Sequence, residues 1–160
     1  IFSGFKKIQN VAIGVIAGLC LIGFNFIYTF FVSAFNIGSN SNQENVQQIA
    51  LALPVFSLII IGFIAPACEE LTYRIGLFTL ISKWKIWAAY VISALIFAIV
   101  HFDFNFTSEG YNLGRELINL PNYLICGLLL SFAYHKGGFA ASFIAHAMNN
   151  LLSVILILGA

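Results

Sequence analysis

Five stretches of this 160-residue chain are free of charged residues for about the length of a bilayer crossing, and that feature leaves few folds open. Between flanking charges the uncharged runs cover 8–43, 45–68, 86–102, 117–135 and 137–160. A helix crosses the hydrocarbon core in about 20 apolar residues, and a charge near its centre costs several kcal/mol. Composition agrees, with 61% of residues hydrophobic, 8% charged and a mean hydropathy of +0.97. A soluble domain has roughly a quarter of its residues charged. The net charge of +1, with no basic cluster, excludes disorder and nucleic-acid or polyanion binding. The expected fold class is therefore all-α, a polytopic integral membrane helix bundle with about five transmembrane helices in one domain, 1–160.

Local signals place the spans. The first is expected over 8–35, followed by a Gly-, Ser- and Asn-rich loop over 36–48. Pro54 suits a first helical turn, where its missing N–H has no helical partner, so a second span is expected over 55–82, closed by Lys83 and Lys85. The third covers 86–102, the fourth 117–134, and the fifth 139–158 after a Gly137–Gly138 turn, with 103–116 as a polar connection. The chain begins at Ile1 and ends just after an apolar run, which reads as a segment of a longer protein, truncated at one or both ends. Cys20, Cys68 and Cys126 lie in apolar runs with no paired spacing and are expected to be small core residues.

Orientation follows from the basic residues. Lys6, Lys7, Lys83, Lys85 and Lys136 fall on one side of the expected membrane and only Arg115 on the other, which Glu44, Asp103, Glu109 and Glu116 share. The N-terminus is expected in the cytoplasm and the C-terminus outside, in a bacterial plasma membrane. Low charge and Asn-rich loops point to a Gram-positive source.

Glu69, Glu70 and Arg74 remain inside a span, with His101 and His146 in two others. Ionisable groups at that depth mark functional sites by default. Glu70 and Arg74, four apart, share a helix face and can pair, while Glu69, rotated by about 100°, addresses another neighbour. His146 and Asn150 put an imidazole and an amide on one face. Asn149, on another face, reads as a bridge between helices. Glu69 lies near the middle of its span, as does His146, and His101 is a few residues from the centre of its own. With a rise of about 1.5 Å per residue, the three share a level to within one or two turns.

A carboxylate in a low-dielectric site is a stronger base than in water, so Glu69 with His101 could deprotonate a water for attack on a carbonyl. His146 and Asn150 could then donate to the oxyanion. The same groups could instead hold a catalytic zinc, since two imidazoles, a carboxylate and an open position are its usual set. No HExxH sequence and no nucleophile elbow is present.

These residues carry a resemblance. Glu69-Glu70-x-x-x-Arg74, Phe97-x-x-x-His101 and His146-x-x-x-Asn150, in that order, resemble the three motifs of the CPBP intramembrane proteases. That family includes the type II CAAX prenyl endopeptidases and bacterial members associated with bacteriocin self-immunity and peptide maturation. The resemblance covers roughly 64–152, within a motif-bearing core of about 54–158, and 1–53 carries no motif. It implies a Glu-dependent endopeptidase with Glu69 as water activator, supported by Glu70 and Arg74. His101 would assist the water or bind metal, and His146 and Asn150 would stabilise the oxyanion or help coordinate. Zinc is the implied metal, with Glu69, His101 and His146 as candidate ligands, and a metal-free mechanism is also open.

The leading expectation is an intramembrane endopeptidase acting on a membrane-associated peptide or protein, entering from the membrane or its cytoplasmic surface. The alternative is a non-catalytic bacteriocin self-immunity or membrane binding protein of the same fold. A proton-coupled transporter fits less well, because no inverted repeat and no matched pair of broken helices is visible. Prenylation of the substrate is not implied by the residues, and the oligomeric state is left open.

Overall fold

The computed structural model describes residues 2–107 and 110–160, with Phe2 by its backbone alone, so Glu109 lies outside the described residues. In hydrocarbon every backbone N–H and C=O must be paired within its own segment, which turns the long apolar runs into helices. Helix α1 covers Ile8–Ala34, α2 Ser41–Ala52, α3 Pro54–Ser82 and α4 Ile86–Ile99. The last run, Leu113–Gly159, is two helices, α5 (113–137) and α6 (139–159), because Gly138 breaks the helical path. Its φ of +67° and ψ of −166° suit a residue without a Cβ and let the chain reverse. Along α5, Cys126 meets Asn25 and Gly137 meets Asn10, antiparallel to α1; along α6, Ala141 meets Gly14 and Asn149 meets Asn25, parallel to it. The expected all-α membrane bundle is the fold observed, and among the described residues no strand occurs.

Small residues bring the helices together, as van der Waals packing requires where lipid is as apolar as the core. Gly14 and Gly18, one turn apart on α1, lie against Ala141 and Ala145 of α6; a Cβ on Gly14 would sit 2.9 Å from the Ala141 carbonyl oxygen. The inner core holds Ala17, Leu21, Phe97, Cys126, Leu130, Ala133, Ala141 and Ala145. Large side chains such as Phe30, Phe31 and Trp87 are exposed on the outside of the bundle, as suits a lipid-facing surface. Cys126 is buried as expected, but Cys20 and Cys68 face outward instead of filling the core. A thiol is apolar enough for lipid, so an apolar run does not reveal which face a cysteine takes.

Two polar segments depart from expectation. Much of 36–48 is helical: Asn40 caps α2, its Oδ1 accepting from the Gln43 N–H at 3.2 Å. Asn, Ser and Asp favour loops and helix starts alike, so composition alone did not separate the two. In the connection 103–116, Asn112 similarly caps α5 through the Arg115 N–H, and Glu116 lies in the first turn of that helix, 2% exposed. Helix α4 has 14 residues, about 21 Å at the usual rise, against a hydrocarbon core of about 30 Å. It ends three residues before the expected 102.

Backbone leaving a helix at that depth needs partners. Glu116 accepts from Ser41 N (2.7 Å) and Asp103 N (3.2 Å), while Asn40 Nδ2 donates to the His101 carbonyl (3.3 Å). These bonds tie the start of α2, the end of α4 and the start of α5 together.

Candidate active site

Helix α3 carries both carboxylates where an ordinary helical turn ending at Glu69 gives way to a widened one starting at Glu70. It is π-helical over Ile60–Ile64 and Glu70–Phe78, with the Thr79 N–H reaching back five residues to the Arg74 carbonyl. Pro66 has no N–H to give to the carbonyl four residues earlier, and a widened turn before it accommodates that loss. Glu70 and Arg74 are both fully buried and form an ion pair, Oε2 to Nε 3.3 Å, at an angle short of a hydrogen bond. Arg74 also donates to the Gly127 carbonyl (3.3 Å) and lies 4.7 Å over the Phe97 ring. At Gly127 α5 packs tightly against α4, since a Cβ there would be 2.9 Å from Ala94 Cα.

Both imidazoles are oriented by what they hold. His146 Nδ1 contacts Glu70 Oε1 at 3.0 Å, and His101 Nδ1 contacts the Phe97 carbonyl at 2.7 Å. A carbonyl or a carboxylate can only accept, so each Nδ1 carries the proton. Each Nε2 faces Glu69, whose Oε2 is 3.8 Å from that of His146 and 4.0 Å from that of His101. Oε2 of Glu69 is itself buried and meets no hydrogen-bond donor. Such separations are too long for direct hydrogen bonds and suit one bridging water.

Phe97, His101, Glu69, Glu70, Arg74 and His146 thus come together from α3, α4 and α6. Asn150 lines the same cavity one turn along α6, its Nδ2 donating to the Ile61 carbonyl in the first widened turn (3.1 Å). Asn149 accepts from Asn25 Nδ2 at 2.7 Å, as a bridge between α6 and α1. Three neighbours were not singled out in the sequence. Tyr123 stacks on His101, with ring centroids 4.5 Å apart and 17° between planes, and its hydroxyl donates to Asn40 Oδ1 (3.2 Å). Asn40 and Glu116 then fix the segment that follows His101. The N-cap pattern before α2 could have marked Asn40, whereas nothing distinguishes Tyr123 among the chain's many aromatic residues.

By type, two imidazoles and a carboxylate are zinc ligands. As arranged they do not fit one: ligands on a tetrahedral zinc lie about 3.3 Å apart, less than the separations here, and no metal-holding group of His, Cys, Asp or Glu occurs among the described residues.

Residues 51–152 match the type II CAAX prenyl endopeptidase Rce1-like family. The chain belongs to that family. The family match includes all three motifs. An uncharacterized protein of Mycoplasma capricolum is 30% identical across 96% of this chain, which covers 46% of that protein. The UPF0177 protein YxdF of Lactococcus lactis is 31% identical across 72% of this chain, covering 58% of the relative. A second UPF0177 protein from Lactococcus lactis, YvdC, is 25% identical across 75% of the chain. The chain thus spans about half the length of the curated relatives it matches. No solved structure matches. Family and fold together make this a membrane protein of the Rce1-like protease group.

Proposed function

We propose that the protein is an intramembrane endopeptidase in which Glu69 activates a water for attack on a peptide bond. The observation that carries this reading is the buried, donorless Oε2 of Glu69 facing two imidazole Nε2 atoms at 3.8 and 4.0 Å. A water held there gives one hydrogen to Glu69 and the other to an Nε2 lone pair. Glu69 removes a proton as the water oxygen attacks the carbonyl carbon, and the carbonyl oxygen becomes an oxyanion. Asn150 has a second N–H on Nδ2 to offer that oxyanion, and His146 donates from Nε2 if it enters the cycle as the imidazolium, its charge balanced by Glu70 on Nδ1. Glu69 returns the proton to the leaving nitrogen, the C–N bond breaks, and a carboxylic acid and an amine leave. His101, clamped by Phe97 and Tyr123, orients the water. No step is routed through a metal.

Bacterial relatives and the lysines gathered at one end of the bundle support a bacterial plasma membrane with the N-terminus in the cytoplasm. The decisive experiment incubates the full-length protein and its Glu69→Gln variant, in detergent, with a membrane-peptide library read by mass spectrometry. Cleavage by the wild type alone, unchanged by chelator, is expected. Loss with chelator and return with zinc would overturn the metal-free step. No cleavage by either folded protein would replace catalysis with a self-immunity or binding role.

A further inference from the structure

A cavity of about 670 Å³ reaches from Glu69 to α2, and its wall is unlike an ordinary membrane interior. Nine of the chain's sixteen Asn and Gln residues line it, and Glu69 is the one Asp, Glu, Lys or Arg among the lining residues. We propose that this cavity is a subsite for an extended, unmodified stretch of polypeptide, held through its backbone and entering from the end of the bundle opposite the lysines. The proposal rests on the protease reading and adds to it a substrate class and a side of entry.

A carboxamide offers the same N–H donors and C=O acceptor as a peptide bond, so this wall pairs with a chain whose own backbone is unpaired. An isoprenoid offers neither and would leave the amides facing hydrocarbon. A transmembrane helix arrives with its backbone already satisfied and has nothing to exchange until it unwinds. Six of the nine already hold a partner within the protein, Asn25 and Asn149 on each other and Asn40, Asn42, Asn119 and Asn150 elsewhere. Asn122 Oδ1, by contrast, is buried and meets no donor among the described residues, an acceptor ready for an incoming N–H. The volume lies in the range of sites that enclose small ligands, which for a polypeptide means a few residues of chain.

Direction comes from the topology. Gln43 and Gln47 of α2 and Ile157 near the end of α6 all line the cavity and lie at one end of the bundle. Lys83 and Lys85 between α3 and α4, and Lys136 before the Gly138 reversal, lie at the other. The excess of lysine marks the cytoplasmic side, so the mouth opens outside. Entry from the membrane or its cytoplasmic surface, expected from sequence, is replaced here by entry from the outer side.

Three arms test it in the full-length protein with Cys20, Cys68 and Cys126 replaced by alanine. A membrane-impermeant maleimide added to intact bacterial cells should label a Gln43→Cys variant and spare Lys83→Cys; the opposite pattern overturns the side of entry. In the non-cleaving Glu69→Gln background, short plain peptides should slow labelling of Gln43→Cys. Protection by farnesylated peptides alone would overturn backbone recognition while leaving the protease reading intact. In cleavage assays Asn122→Leu should raise KM by about tenfold with kcat little changed, and an unchanged KM overturns the role of the amide wall. If the wild type cleaves nothing, the protease reading falls, and the protection arm still decides whether the cavity binds peptide.

Discussion

Two adjacent glutamates on α3 have opposite surroundings. Glu70 is fully buried between Arg74 and His146, whereas Glu69 keeps 26% of its side chain open to the cavity. Glu70→Gln should therefore destabilise the protein by about 3–5 kcal/mol, since it leaves the Arg74 guanidinium buried without a counter-charge. Glu69→Gln should leave the thermal unfolding midpoint in detergent unchanged while abolishing cleavage. Equal losses of stability in the two variants would show that the carboxylates do not divide their roles in this way. Tyr123→Phe keeps the stack on His101 and loses the hydroxyl bond to Asn40, for a cost of about 1 kcal/mol in stability. Tyr123→Ala should lower kcat as well, because the ring that holds His101 is gone. The charged members of the site were legible because each is an ionisable group in an apolar run. Tyr123 was not, because an aromatic residue in such a run looks the same whether it faces lipid or a buried imidazole.

At the scale of elements, the informative departures are the short α4 and the polar segments around its end. The boundaries of α1 and α3 and the reversal at Gly138 could be read from charge-free runs, a proline and a Gly-Gly pair. That Glu116 turns inward could not, since a glutamate beside a span reads as a solvated flank until the backbone it serves is known. It accepts from two amides, Ser41 and Asp103, that would otherwise be stranded. Glu116→Leu should cost about 2–4 kcal/mol for two unsatisfied N–H groups. It should also speed hydrogen exchange in 100–112 and at the start of α2 before the rest of the bundle. Uniform exchange across the protein would show that the latch is not local. At the α1–α6 contact, Gly14→Leu would push apart helices that touch through a backbone carbonyl, and should lower the unfolding midpoint far more than Gly23→Leu, where an added Cβ meets nothing within 4 Å.

The whole molecule is a bundle with two unlike ends. One carries the lysines with Trp84 and Trp87, the aromatic and basic anchors typical of a headgroup region. The other carries α2, the carboxamides and the exposed Arg115–Glu44 pair at 3.3 Å. Helix α4 belongs to both, starting beside the tryptophans and stopping at Ile99, two residues before His101 and well before a second headgroup layer of ordinary spacing. A helix about 9 Å short of the hydrocarbon thickness cannot be matched by a flat membrane. If lipid reaches that end of α4, the neighbouring leaflet dips towards it and the water boundary moves towards Glu69. On the protease reading proposed above, hydrolysis consumes water, and such a dip would shorten the route by which water arrives. Activity reconstituted in vesicles should then fall steadily as acyl chains lengthen, and rates indifferent to chain length would mean that α4 is matched by something other than the bilayer.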